Sequence, residues 1–174
     1  MDQDETKKTF EEFGKYVIER AKSNLKKDGK QASGKLIESL DFEFKQNPNS
    51  IEFDFYAEDY WKFVDKGVKG KTSSAKAPNS PYQFGSGTGK KGGLRSAIDK
   101  WVIRKGLTNV RDKQGRFVNR KQMVSMISSA IYNRGLTATE FFSKPFEQAF
   151  KQLPDEILEA YGKDFDKFLT KELE

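Results

Sequence analysis

The sequence predicts an α+β fold: an antiparallel β-hairpin, or small sheet, packed against long amino- and carboxyl-terminal helices, with an additional helical pair. Three observations predict it. Leu40, Phe42 and Phe44 alternate with Asp41, Glu43 and Lys45, and Ile51, Phe53 and Phe55 alternate with Glu52 and Asp54. Period-2 alternation gives each run one apolar and one charged face. Residues 6–25 and 154–173 carry apolar side chains at helical spacing, and 94–135 holds two further stripes of the same kind. A hairpin cannot bury its own apolar face, so the terminal helices are expected to cover it. At 174 residues the chain is read as a single domain, 1–174.

In chain order, Thr6 or Thr9 caps the first helix, whose stripe is Phe10, Phe13, Val17, Ala21 and Leu25. Lys26 and Lys27 suit the negative end of its dipole before Asp28-Gly29. Ser33–Ser39 is a connector with room for one helical turn. The hairpin spans 40–56 and turns at Gln46-Asn47-Pro48-Asn49-Ser50, where Pro presets φ and Asn tolerates turn conformations. Asp59 is expected to cap a short helix carrying Tyr60, Phe63 and Val64 and stopping at Gly67. Residues 68–93, with six glycines and two prolines among many Ser and Lys, read as a flexible loop that only Tyr82 and Phe84 can anchor.

The helical pair follows. Leu94, Ala97, Ile98, Trp101 and Val102 line one face of a helix ended by Gly106. Met123, Val124, Ile127, Ala130 and Ile131 line a second, from Lys121 to Asn133, stopped by Gly135. Between them, Val110–Val118 is a small hairpin or an exposed loop turning at Lys113-Gln114-Gly115. Thr137 or Thr139 is expected to cap a short segment through Phe141 and Phe142, Pro145 to open another through Phe150, and Pro154 to open the last helix, with Ile157, Leu158, Tyr161, Phe165, Phe168 and Leu169.

Composition narrows the chemistry. The chain has neither Cys nor His, which removes disulfides, thiol nucleophiles, imidazole bases and His- or Cys-ligated zinc. No apolar run approaches a membrane span, and the acidic Met1–Glu5 is unlike a secretory signal, so a soluble cytoplasmic product is expected. The net charge of +6 hides a division. Residues 66–121 hold fifteen Lys and Arg against two acids, Asp99 and Asp112, a balance of +13; the remainder holds 17 against 24, a balance of −7. A basic middle with acidic ends suits either a nucleic-acid surface or charge-complementary contact between copies.

Four constellations carry possible chemistry. Gly85-Ser86-Gly87-Thr88-Gly89-Lys90-Lys91 has the look of a phosphate loop, but Phe84 stands at the first Gly position, Lys91 replaces the Ser/Thr, and no strand precedes. Asp41, Glu43, Glu52 and Asp54 form a carboxylate patch, and Glu43-Phe44-Lys45 has the Glu-x-Lys form of some metal-dependent nucleases; the charged solvent face of a hairpin explains it equally well. Arg95, Arg104, Lys105, Arg111, Arg116, Arg120 and Lys121 are candidate DNA-facing cations, with Trp101 on the apolar stripe and so a core residue rather than a stacking platform. Lys69, Lys71, Tyr82, Phe84, Lys90, Lys91, Phe141 and Phe142 are the candidate subunit or partner interface, because one small domain has more aromatics than it can bury. Catalytic, cofactor-binding and metal-binding residues are not assigned.

Three short stretches, in this order, resemble the neck or tail-completion proteins that join head to tail in tailed bacteriophages. Ser33-Gly34-Lys35-Leu36-Ile37-Glu38-Ser39-Leu40 resembles that family's small-Gly-x-Leu-x-x-Ser-aliphatic lead into the hairpin. Tyr60-Trp61-Lys62-Phe63-Val64-Asp65-Lys66-Gly67 resembles its Tyr-Ala-x-Tyr-Val-Glu-x-Gly-Thr signature, with Trp61 for Ala, Asp65 for Glu and Val68 for Thr. Pro145-Phe146-Glu147-Gln148-Ala149-Phe150 resembles its Pro-Phe-x-x-Ala-Phe segment, and 94–135 is an addition that shorter members lack. The resemblance implies a structural virion protein without enzymatic activity or cofactor. It would be a homo-oligomeric ring at the neck, assembled in the host cytoplasm, touching portal or connector and tail-tube proteins, with non-specific contact to DNA in the channel. Independently of the resemblance, the long loop is expected to order on assembly, with Lys69–Lys91 reaching into an adjacent protein, so that their deletion would spare folding and prevent ring formation. The competing classes are a Mg²⁺-dependent nuclease built on Glu43, Lys45, Glu52 and Asp54, and a monomeric DNA-binding module.

Overall fold

The computed structural model describes residues 4–27, 34–47, 50–87, 93–107 and 110–173. Ten elements follow one another: α1 (Asp4–Lys27), α2 (Lys35–Ser39), β1 (Asp41–Asn47), β2 (Ser50–Tyr56), α3 (Trp61–Asp65), β3 (Val68–Lys69), α4 (Gly93–Arg104), α5 (Arg120–Arg134), β4 (Gly135–Leu136) and α6 (Ser143–Leu173). This is an α+β fold with long terminal helices, a hairpin and a helical pair. Two compact units divide the chain: Met1–Gly29, Lys35–Glu58 and Phe141–Glu174 form unit 1, and Lys30–Gly34 with Asp59–Glu140 form unit 2.

Unit 1 realises the hairpin-and-helix arrangement. β1 and β2 pair antiparallel with Phe42 opposite Phe55 and Phe44 opposite Phe53, so the alternation does put these rings on one face. Pro48 and Asn49 of the expected turn lie outside the described residues. Phe10, Phe13 and Val17 of α1 and Ala149 and Leu153 of α6 form the core, and Phe44, Phe53, Phe55, Phe142 and Phe146 pack on it. Ring meets ring throughout: Phe13 approaches Phe53 edge-on at 5.3 Å, and Phe55 meets Phe142 at 5.2 Å. Gly14 lets the hairpin come close, because a Cβ built there would fall on the Phe42 ring, 2.8 Å from its Cζ. Leu40 is also buried, at the entry to β1.

α6 corrects the expectation of separate segments. It is one helix of 31 residues running through Pro154. Proline cannot donate the helical hydrogen bond to Phe150, a loss of about 3 kcal/mol in a helix interior. Burial of Leu153 just before it and packing of Ile157 just after it hold the helix to the core across the proline. The segment expected to be helical from Thr137 or Thr139 is not: Gly135–Leu136 is a strand, Glu140 sits at φ 49°, and the Thr139 hydroxyl donates to the Val64 carbonyl at 2.8 Å.

Unit 2 joins a packed helical pair to a backbone-paired segment. In the helical pair, Val102, Met123 and Val124 are buried under Ile98, Trp101, Leu107, Val118 and Ile127, which places Trp101 in the core as expected. An Asn119–Gln122 capping box starts α5. The paired segment is held backbone to backbone. β3 pairs with β4, the Lys71 N–H donates to the Tyr132 carbonyl at 2.8 Å, and the Ser80 hydroxyl donates to Gly67 at 2.7 Å. Gly67 (φ +67°) and Gly70 allow this approach; a Cβ on Gly70 would lie 2.6 Å from the Arg134 carbonyl carbon. Residues 68–87, expected to be flexible, are therefore sewn to the end of α5. Asp59 does not cap α3, whose N-cap position is Tyr60 with no side-chain cap bond.

Candidate functional site

Two surfaces, one on each unit, combine charge with apolar contact. The first is the turn at 110–118, where an antiparallel bridge joins Arg111 to Phe117 and the Val118 N–H donates to the Val110 carbonyl at 2.9 Å. Asp112 organises it. Its Oδ1 accepts from the N–H groups of Gln114 and Arg116, both at 2.9 Å, and its Oδ2 from Arg116 Nε at 2.9 Å. The Arg116 N–H, helped by the Arg116 side chain and the Gln114 N–H, outweighs the opposing pull of burial and holds this carboxyl below its ordinary range. Gly115, at φ +79°, closes the turn. On it, the Arg111 guanidinium lies 3.9 Å over the Phe117 ring and donates to the Gly115 carbonyl. Phe117 is nonetheless 64% exposed.

The flanking helical pair carries further cations. Arg120 is ion-paired with Asp99 (Nε to Oδ1, 2.9 Å), and Arg95 donates to the Ser125 hydroxyl at 2.9 Å. Arg104, Lys105 and Lys121 are exposed. The two acids of the basic stretch thus each hold one of the candidate DNA-facing arginines. Exposed apolar side chains are interspersed: Ile103, Val110 and Met126.

The second surface is a cleft of about 550 Å³ between α1 and α6. Glu5, Glu12, Glu156 and Glu159 line it together with Lys8, which is 3.9 Å from Glu12. The buried Phe13, Ala149 and Ala160 form its apolar base, and the half-exposed Tyr16 flanks them.

The expected interface residues scatter. Lys69 lies in β3, and its backbone binds Tyr82 and Phe84. Lys71 stands 5.9 Å over the Tyr132 ring, Tyr82 packs edge-on against Phe63 at 4.7 Å, and Phe84 meets Tyr132 at 5.9 Å. Lys90 and Lys91 lie outside the described residues. Phe141 is a correction: it is fully buried, with its carbonyl held by Asn24, and belongs to the interior of unit 1. Phe142 is half-buried on that core. The aromatic that does face outward near them is Phe150, 56% exposed and stacked on Phe146. By helical spacing Phe150 lies beside Phe146 and Leu153, so its exposure was not readable from the pattern.

The carboxylate patch on the hairpin closes on its own lysine. Lys45 Nζ lies 2.8 Å from Asp54 and 3.2 Å from Glu43, and the Asp54 and Glu43 hydrogen bonds raise its pKa. The Tyr56 hydroxyl donates to Glu43 at 3.0 Å. An ammonium thus occupies the point where these carboxylates converge, and among the described residues no group of three or more acids is gathered to hold a metal.

Comparison with protein-family models, curated proteins and solved structures finds no match. Among the described residues no helix is long and apolar enough to cross a membrane.

Proposed function

We propose that this chain is a structural subunit that assembles head to tail with its own copies into a closed ring, as a head–tail joining component of a tailed bacteriophage particle. The observation that carries the reading is the division of charge between the two units. Unit 2 holds eighteen Lys and Arg against five acids, a balance of +13, and unit 1 fourteen against twenty-one, a balance of −7. Head-to-tail association needs two different, complementary surfaces on each subunit, and opposite charge on separate units supplies them.

The three stretches that resemble neck proteins support the same reading, since each falls at a structural junction. Gly34–Leu40 spans α2 and the entry to β1; Tyr60–Gly67 covers α3 and the glycine that admits Leu136 and Ala138; Pro145–Phe150 forms the first turns of α6, where Phe146 joins the core. Contacts with portal or connector and tail-tube proteins, and with DNA in the channel, belong to this proposal. The role of the 68–93 segment changes within it: deletion of Lys69–Lys91 would remove Lys69 of β3 and the bonds that Lys71 and Thr72 make to α5, so unit 2 would not fold without it.

Native mass spectrometry tests the proposal. A single dominant multiple of the 19.9 kDa subunit is expected, dissociating as salt rises. A monomer at every concentration would overturn it. Mg²⁺-dependent plasmid nicking that disappears in Glu43→Ala would favour the nuclease instead.

A further inference from the structure

We propose that the 110–118 turn of one molecule seats in the α1–α6 cleft of a second copy, with Phe117 against Tyr16 and Arg111 and Lys113 against the glutamates. This rests on the ring reading above and names the contact that makes the ring.

The turn is built before it binds. Asp112 already fixes the Gln114 and Arg116 backbone, so docking orders few groups and the entropic cost of association is reduced. Phe117 projects 64% exposed with a guanidinium stacked on it, and an aromatic joined to an arginine is the side-chain chemistry that anchors protein interfaces. The cleft offers the counterpart. Tyr16, 41% exposed over the buried Phe13, Ala149 and Ala160, gives an aromatic ring a face to pack on, and Glu12 and Glu156 are exposed beside it. At about 550 Å³ it is large enough for one aromatic side chain and its stacked cation.

A nucleic-acid backbone fits the turn less well. Arg116 is already committed to Asp112, and the exposed Phe117 and Val110 gain nothing from phosphate oxygens. Turn and cleft also lie on different units, so the contact is heterologous and repeats from copy to copy.

The test uses two full-length variants with changes at exposed positions. Arg111→Glu with Lys113→Glu reverses the turn; Glu12→Lys with Glu156→Lys reverses the cleft. Each alone should run at monomer mass at concentrations where the wild type assembles. Their equimolar mixture should assemble again, with the two variants in equal numbers, since the acidic turn of the first meets the basic cleft of the second, and the native turn of the second meets the native cleft of the first. Phe117→Ala should weaken assembly at least about tenfold. Variants that assemble like the wild type, or a mixture that stays monomeric, would overturn this contact while leaving the ring reading in place. A monomeric wild type would remove both. Variants whose mass is unchanged but which lose binding to duplex DNA would make the turn a nucleic-acid surface and overturn the proposal.

Discussion

Gly14→Ala reports directly on how the hairpin meets α1. Two effects oppose each other. Alanine in a helix interior is favoured over glycine by roughly 0.5–1 kcal/mol. Against that, the new methyl would occupy the position of the Phe42 ring, whose Cζ lies 2.8 Å from it, and the ring must leave its seat on the helix. Forcing extra volume into a packed contact costs about 1–3 kcal/mol. The clash should win, leaving Gly14→Ala less stable by about 1–2 kcal/mol. In a Phe42→Ala background the obstacle is gone, and the same substitution should stabilise by about 0.5–1 kcal/mol. Urea unfolding of the four proteins, followed by far-UV circular dichroism, gives the coupling from the double-mutant cycle. A stabilising Gly14→Ala in the wild type, additive with Phe42→Ala, would refute the close approach of β1 to α1.

Three further outcomes follow from unit 2 and from the hairpin's charged face. Gly70→Ala should destabilise unit 2 by about 2–3 kcal/mol, because the obstructing atoms are the α5 backbone at Asn133 and Arg134; both tryptophans lie in unit 2, so their fluorescence reads its unfolding. Ser128 is buried in α5 with a hydroxyl that has no hydrogen-bond partner, so Ser128→Ala should raise the tryptophan-detected midpoint, by about 1 kcal/mol. The Tyr56 phenol has a raised pKa, mainly because it donates to Glu43. Its neutral form is the one the fold favours, so the contribution is present below the ordinary tyrosine range and disappears as pH climbs through the raised value. Glu43→Gln should return the titration toward about 10, read as tyrosinate absorbance against a Tyr56→Phe control.

The hairpin, the terminal helices and the helical pair were legible because each depends on local periodicity. The alternation at 40–55 put Phe42, Phe44, Phe53 and Phe55 on one face, and the stripe of α1 supplied their partners. What sequence could not supply came from contacts between distant segments. Residues 68–93 read as a loop because of their six glycines and two prolines, yet Gly70, with Gly67 just before the segment, is what lets its backbone lie against β4 and the end of α5. Pro154 read as a helix start because nothing local reveals that Leu153 and Ile157 grip the core on either side. The acidic cleft was equally hidden, since Glu12 and Glu156 lie on helices at opposite ends of the chain. One signal was available and unused: Asn119-x-x-Gln122 is the pattern of a capping box. The basic turn was visible as charge and as a turn at Gly115, but the stacking of Arg111 on an exposed Phe117 required the folded structure.

The central claim is that copies of this chain close on one another through unlike surfaces. Negative-stain electron microscopy of the purified protein at low salt tests it most directly. Closed rings of uniform size with rotational symmetry are expected; isolated single subunits, or two-fold dimers joined through like surfaces, would contradict it.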